Sequence, residues 1–371
     1  MAWTRPFIVV LAACLIAFAG CAAPADDASS NASADAQGSQ SQAAPEPEET
    51  KVVSLGFTGD ICLADNYIPM QHLAELDSTS IYDGIDAHYV KAMRSVDLMW
   101  VNNEFAYGTD VEALPGKEWT FLAKPENVKY LKNLGVDIAG LANNHTFDYG
   151  EEAFLTTLDT LKDAGIPYVG AGRNAAEANA PVYLEANGVK VAYVAASCAE
   201  YTIYTPEAGE DSPGIMWCYD DDIMLEALHE AAQNADYVVA LPHWGTEHST
   251  ELTEKQIESA RAYIDAGADA VVGGHSHILQ GIDFYNGKPI LYNLGNFWFD
   301  DYDIDTVMAE LVVDTNGDEP AVQVMLLPGT QSGAFTAWAP NESERDRIFR
   351  YIEDISGNAV TIDDKGVVTA A

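Results

Sequence analysis

From Lys51 onward the chain repeats one pattern: a short apolar run, a small polar cluster, then a stretch with helical periodicity. The runs are Val52–Phe57, Asp97–Val101, Val136–Leu141, Val189–Ala196, Ala235–Leu241, Ala268–Val272 and Pro289–Asn293. Runs this short, with almost no polar alternation, predict strands buried on both faces, as in parallel sheets. Glu151–Ala164 predicts a helix, because Phe154, Leu155, Leu158 and Leu161 share a face and Gly165 and Pro167 end it. Glu126–Leu134 and Thr253–Ala266 read the same way. Strands alternating with helices predict an α/β domain. After about residue 301 the pattern changes. Thr306–Val313 and Ala321–Leu327, with Asn316-Gly317 between them, predict an antiparallel pair, and Glu342–Ile355 a short charged helix. This β-rich tail is expected to belong to the same domain, residues 51–371.

Six of the seven runs lead into a polar cluster. These are Gly59-Asp60, Asn102-Asn103-Glu104, Asn143-Asn144-His145, His243-Trp244-Gly245, Gly274-His275-Ser276-His277 and Asn293-Leu294-Gly295-Asn296-Phe297. Ligands of open α/β sheets bind outside the carboxyl ends of the strands, so these clusters should meet at one edge. Asp, Glu, Asn and His offer hard oxygen and imidazole nitrogen, a set suited to Mn, Zn, Fe or Mg. His275 and His277 stand two apart after a strand and point differently, so each can serve a separate ion. Gly273-Gly274 before them allows close backbone approach. Two ions about 3.5–4 Å apart can clamp a phosphoryl oxygen. Competing structural roles exist. Asp60 could close a turn, Asn144 could cap a helix before Phe147, Asn296 could close a turn, and Trp244 could pack in the core or stack on substrate. His72, His88, His229 and His248 read as surface or packing residues.

Composition bounds the partners. Lys and Arg number 18 against 58 Asp and Glu, a formal charge of −40. Such a chain repels nucleic acid and anionic membrane surfaces. At the N-terminus Arg5 precedes the apolar run Phe7–Ala19, which is shorter than the roughly 20 residues a spanning helix needs. Phe18-Ala19-Gly20-Cys21 resembles the lipobox of bacterial lipoproteins, with Phe18 in place of the usual Leu. Residues 1–20 are therefore expected to be a lipoprotein signal peptide and Cys21 the lipidated residue, placing the protein on the outer face of the cell membrane. Residues 21–50 carry no aromatic residue and no aliphatic residue larger than Ala, the composition of a disordered tether. Cys14 would leave with the signal. In an oxidising compartment Cys198 and Cys218 could pair, leaving Cys62 free.

The ordered clusters carry a family resemblance. Phe57-Thr58-Gly59-Asp60, Asn103-Glu104, Phe121-Leu122-Ala123-Lys124-Pro125 and Leu141–Gly150 come first. Gly170-Ala171-Gly172, His243–Glu247, Gly274–His277 and Leu294–Phe297 follow. In order and spacing they resemble the CapA/PgsA-type poly-γ-glutamate capsule biosynthesis proteins of the metallophosphatase superfamily. The resemblance implies a four-layer α/β/β/α sandwich and a dinuclear site. Asp60 and His277 would hold one ion, Glu104 would bridge, and Asn144, His243 and His275 would hold the second. His145 would protonate or orient the leaving oxygen. Glu104 stands where calcineurin-like enzymes have Asp. Cys62 stands where they have a metal-binding His, so it is either a thiolate ligand or a packed apolar residue. Asn103, Asp148, Trp244, Glu247 and Asn296 would support the site or touch substrate.

The implied role is synthesis, export or anchoring of poly-γ-glutamate or another extracellular polymer, in company with membrane ligase subunits. Two alternatives stand beside it: a non-catalytic scaffold subunit of such a complex, and a general extracytoplasmic phosphatase. The long segments Asn103–Phe121 and Glu200–Tyr219 are expected to border the cleft.

Overall fold

The computed structural model describes residues 51–199 and 204–371. The expectations for the signal peptide, the tether and Cys21 fall on residues 1–50, outside the described residues. Strands β1 (Val52–Ile61), β2 (Leu98–Asn103), β3 (Ile138–Gly140) and β4 (Tyr168–Val169) pair in parallel in that order. The chain then enters a second sheet. There β5 (Val182–Ala186) pairs antiparallel with β6 (Val189–Ser197), and β6, β7 (Tyr237–His243) and β8 (Ala270–Val272) run parallel. A hairpin of β9 (Ile282–Tyr285) and β10 (Lys288–Leu291) closes this sheet, with β10 parallel to β8. The chain returns as β11 (Asn296–Trp298), parallel to the end of β1, and β12 (Ile304–Asp314), antiparallel to β1. The tail then adds β13 (Ala321–Ser332), β14 (Phe335–Trp338), β15 (Val360–Ile362) and β16 (Val367–Ala370) to the first sheet.

Side-chain alternation turns these sheets into four layers. Val53, Leu55 and Phe57 of β1 meet Val191, Tyr193 and Val239 of β6 and β7 in one cluster between the sheets. The opposite face of β2 sends Met99 and Val101 against α1 (Ile68–Glu75), α2 (Ala87–Met93), α3 (Val128–Leu134) and α4 (Gly150–Ala164). The opposite face of β6 sends Ala192, Val194 and Ala196 against α5 (Asp222–Asn234) and α6 (Glu254–Asp265). The order is helix, sheet, sheet, helix, as the resemblance implied. Each fully buried Val, Leu or Phe contributes about 1.5–3 kcal/mol relative to exposure. The last helix, α7 (Glu342–Ile355), adds Ile348, Phe349 and Ile352 to the inter-sheet cluster.

Local signals account for the helix ends. Thr253 and Gln256 form a reciprocal capping box at the start of α6. Gly165 ends α4 with φ +77°. Two strands run further than expected. β1 continues through Asp60 because β11 pairs there, and β7 continues to His243 because Ser197 pairs with it. The polar residues thus occupy the last strand positions, where backbone pairing fixes them. Helix α5 and the hairpin β15–β16 were not anticipated.

Candidate metal centre

The parallel strands bring the polar clusters to one edge, as expected. Asp60 comes from β1 and Glu104 stands one residue past β2. Asn143, Asn144 and His145 follow β3, and His243 ends β7. His275 and His277 follow β8, and Asn296 opens β11. All are buried. Glu104 Oε1 lies 3.7 Å from His243 Nε2, 4.0 Å from His277 Nε2 and 4.0 Å from His145 Nε2. Asp60 Oδ2 lies 3.6 Å from His277 Nδ1 and accepts the backbone N–H of His275 at 3.3 Å. Among the described residues, two groups place their ligating atoms within 4.8 Å of one another: Glu104, His243 and His275, and Asp60, Glu104 and His277. Glu104 belongs to both.

The electrostatics fit a cation. Burial pushes the Asp60 carboxyl up, against the pull of His277. Burial pushes Glu104 further up, and the neighbouring Asp60 charge adds to it. Burial holds His243 and His275 well below the usual imidazole range, and neighbouring histidines reinforce this. Neutral imidazoles are the form that ligates a divalent ion, and a cation here would offset the crowding that raises the two carboxyls. Glu104 Oε1 and His275 Nδ1 are buried without a hydrogen-bond partner. Each such group costs about 1–3 kcal/mol unless something satisfies it. A divalent metal at this edge would satisfy both.

Asn102 organises the centre, whereas the sequence pointed to its cluster neighbour Asn103 for a supporting role. Its Nδ2 donates to Asp60 Oδ1 at 2.8 Å and Glu104 Oε2 at 2.9 Å, and its Oδ1 accepts from Asn143 Nδ2 at 3.0 Å. Asn103 instead donates to the Phe105 carbonyl at 3.0 Å. The signal was available: side chains alternate along a strand, so Asn102 shares a side with Glu104 and Asn103 does not.

Asn144 does not cap a helix, since α4 begins after Tyr149. Its Oδ1 sits 2.9 Å from His243 Nε2. His145 Nδ1 lies 2.9 Å from Asp148 Oδ2, which leaves its Nε2 facing Glu104. Asp148 Oδ1 is paired with the buried Lys117 ammonium at 2.7 Å, and Lys117 also donates to the Asn144 carbonyl. Asn296 Oδ1 meets His277 Nδ1 at 2.8 Å while its Nδ2 donates to Asp300 Oδ2 at 2.8 Å. Lys117 and Asp300 lie in loops, and nothing in their spacing announced them.

The remaining residues separate by location. Cys62 is fully buried among the apolar residues under the α1–α4 layer, and burial pushes its thiol well up. It joins neither ligand group. Trp244 is a core residue: it is fully buried, stacks on Tyr263 and donates to the Tyr292 carbonyl at 3.1 Å. Glu247 is exposed and lines the mouth of a cleft of about 340 Å³ that opens onto His145 and His277. His248, read as a surface or packing residue, also lines this mouth, with its ring 5.9 Å from that of His277. Lys117, Trp119 and Phe121 place the Asn103–Phe121 segment on the cleft, as anticipated. Of Glu200–Tyr219, residues 200–203 are outside the described residues. Thr205 of that segment donates to the Asn144 carbonyl at 3.0 Å.

The backbone is held tightly here. His275 and His277 have φ of +98° and +60°. Conformations of this kind cost on the order of 1–3 kcal/mol and persist where surroundings enforce them. A Cβ on Gly274 would come within 3.2 Å of both Asp60 Oδ1 and His243 Nδ1, so glycine there keeps the centre open.

A family model described as the bacterial capsule synthesis protein PGA_cap matches residues 54–301. The capsule biosynthesis protein CapA of Bacillus anthracis is 32% identical over 261 residues, 68% of this chain and 61% of that one. The PGA biosynthesis protein CapA of Bacillus subtilis (strain 168) is 32% identical over 252 residues, 67% and 64% of the two chains. The match thus spans less than two thirds of the length of these relatives. Among solved structures the chain is similar to a novel phosphatase from Mycoplasma pneumoniae, with TM-score 0.46 and 11% identity over 76% of this chain and 95% of that one. The family match runs from Ser54 within β1 past Asp300 and contains every residue of the centre, so the chain belongs to the bacterial capsule synthesis (PGA_cap) family.

Proposed function

We propose that this protein is a metal-dependent, phosphoesterase-type hydrolase acting in the synthesis, export or anchoring of poly-γ-glutamate or a similar extracellular polymer. The observation that carries the reading is Glu104: one buried carboxylate shared by two ligand groups, with an unpaired Oε1 between them. In this reading Asp60, His277 and Glu104 would hold one divalent ion, and Glu104, His243, His275 and Asn144 would hold a second. Mn, Zn, Fe and Mg all suit the donor set. The bound ions would supply Lewis acidity toward a phosphoryl oxygen. The protein's own contribution begins with Asp148, which fixes the His145 ring through Nδ1. That turns Nε2 toward the cleft, where the ring, when it carries a proton on both nitrogens, can pass the Nε2 proton to the leaving oxygen and return to the neutral Nδ1–H form held by Asp148. Lys117 locks Asp148 in place, and the Asp300–Asn296 relay holds His277. Trp119 and Phe121 border the cleft.

The polymer comes from the relatives, whose names are capsule and PGA biosynthesis proteins. The extracytoplasmic location and the lipid on Cys21 rest on the lipobox-like sequence alone. Cys21→Ser should release the protein from the membrane fraction; unchanged fractionation removes the anchor from the account. For the reaction, the full chain is assayed on phosphomonoesters and phosphodiesters beside His145→Ala. Metal-dependent hydrolysis that falls about 10²–10⁴-fold in the variant supports the assignment. Equal rates exclude His145, and bound metal with polymer output unaffected by His145→Ala favours a scaffold.

A further inference from the structure

We propose that Cys198 and Cys218 are a cross-linking site: they form a disulfide that ties the end of β6 to the segment lying over Asn144. The register places them together. Ser197 and Trp217 pair in parallel, so the next residue on each side, Cys198 and Cys218, also lie across from one another. Cys218 N–H donates to the Ser197 carbonyl at 3.0 Å, which fixes the two backbones at this point. Both cysteines are free thiols here, and each shifts the other's ionisation, Cys218 drawing the Cys198 thiol down and Cys198 pushing the Cys218 thiol up. Cysteines that face one another beside a backbone bridge have their Cα atoms in the range a disulfide spans.

The cross-link bears on the metal centre by position. Cys198 N–H donates to the His243 carbonyl at 3.0 Å, directly behind that imidazole. On the other side, Trp217 Nε1 donates to the Thr205 carbonyl at 3.2 Å, and Thr205 Oγ1 donates to the Asn144 carbonyl at 3.0 Å. A covalent bond between residues 198 and 218 therefore pins the backbones of His243 and Asn144, two residues in mutual contact, from behind. Cys62 takes no part, being buried under the opposite helical layer.

The oxidation balances with a disulfide donor. Two S–H bonds break and one S–S bond forms. Two protons and two electrons pass to the donor, here oxidised glutathione, which leaves as two molecules of reduced glutathione.

The test treats the purified full chain with oxidised glutathione, blocks residual thiols with iodoacetamide after unfolding, and maps peptides without reduction. The expected product is a peptide pair joining Cys198 to Cys218, lighter than its reduced parts by about 2 Da, that separates on reduction. Cys198→Ser and Cys218→Ser should each lose this pair while keeping the wild-type circular dichroism spectrum. The melting temperature of the wild type should fall on adding dithiothreitol, and that of Cys198→Ser should not respond. Alkylation of both cysteines after oxidation, or pairing of either with Cys62 or a second chain, overturns the proposal. The readouts are covalent, so they hold whether or not the centre hydrolyses phosphoesters.

Discussion

Glu104 concentrates the physics of this protein in one side chain. It is buried, crowded by Asp60, and short of a hydrogen bond at Oε1. Without a cation it binds its proton more tightly in the folded state than its ordinary value near 4.5. The folded state then holds more protons than the unfolded one, so metal-free stability falls as pH rises above that value. His243 and His275 act in the opposite sense. Their folded values lie below 6.5, so their share of stability is present above that pH and is lost as pH falls.

Glu104→Gln separates the two effects. In chelator, its melting temperature should drop less than that of the wild type between about pH 5 and pH 8. Added Mn²⁺ should raise the wild type and not the variant. Parallel pH curves would contradict the carboxylate argument. Lys117 is a second test at this scale. Lys117→Met leaves Asp148 buried without its cation, and urea denaturation should show a loss of about 3–5 kcal/mol. A loss under about 1 kcal/mol would mean that the pair is solvated rather than structural.

At the scale of elements, the centre exists because parallel strands end together and their backbones approach closely. Gly59 shows how closely: a Cβ there would fall 2.0 Å from the Gly295 carbonyl oxygen, and Asp60 N–H donates to the same oxygen at 2.8 Å. Gly59→Ala must push β1 away from β11 and carry Asp60 with it. Denaturation should show about 1–3 kcal/mol lost, with weaker cation binding beside it. Normal cation affinity in a folded Gly59→Ala protein would show that Asp60 does not set the site.

The elements also explain what was readable in advance. Buried parallel strands advertise themselves as continuous apolar runs, so β1, β2, β6 and β7 were legible, and for β1, β2 and β7 so were the polar residues at their ends. Helix α5 was not, because its buried face is mostly Ala and Met: Met224, Ala227, Leu228 and Ala231. Asn102 was legible in principle through its parity with Glu104. The Lys117–Asp148 and Asp300–Asn296 pairs were not, because loop closure rather than periodicity brings them together.

Across the whole molecule the formal charge is −40, and much of the acidity lies outside the centre. A polyanion such as poly-γ-glutamate meets repulsion from such a surface unless cations intervene. Binding of the polymer to the full chain, followed by light scattering or calorimetry, should require divalent cations and vanish with chelator. Cation-independent binding would point to a basic surface that the composition does not supply.

If six strand ends build a divalent metal centre around Glu104, the bound metal should depend on their side chains. Metal content is measured on the full chain and on Glu104→Ala and His275→Ala after identical purification and dialysis. About two divalent ions per wild-type chain are expected, with clear loss in both variants and Glu104→Ala the lower. Wild-type protein that retains no metal from Mn²⁺, Zn²⁺, Fe²⁺ or Mg²⁺, or variants that retain as much as the wild type, would contradict such a centre.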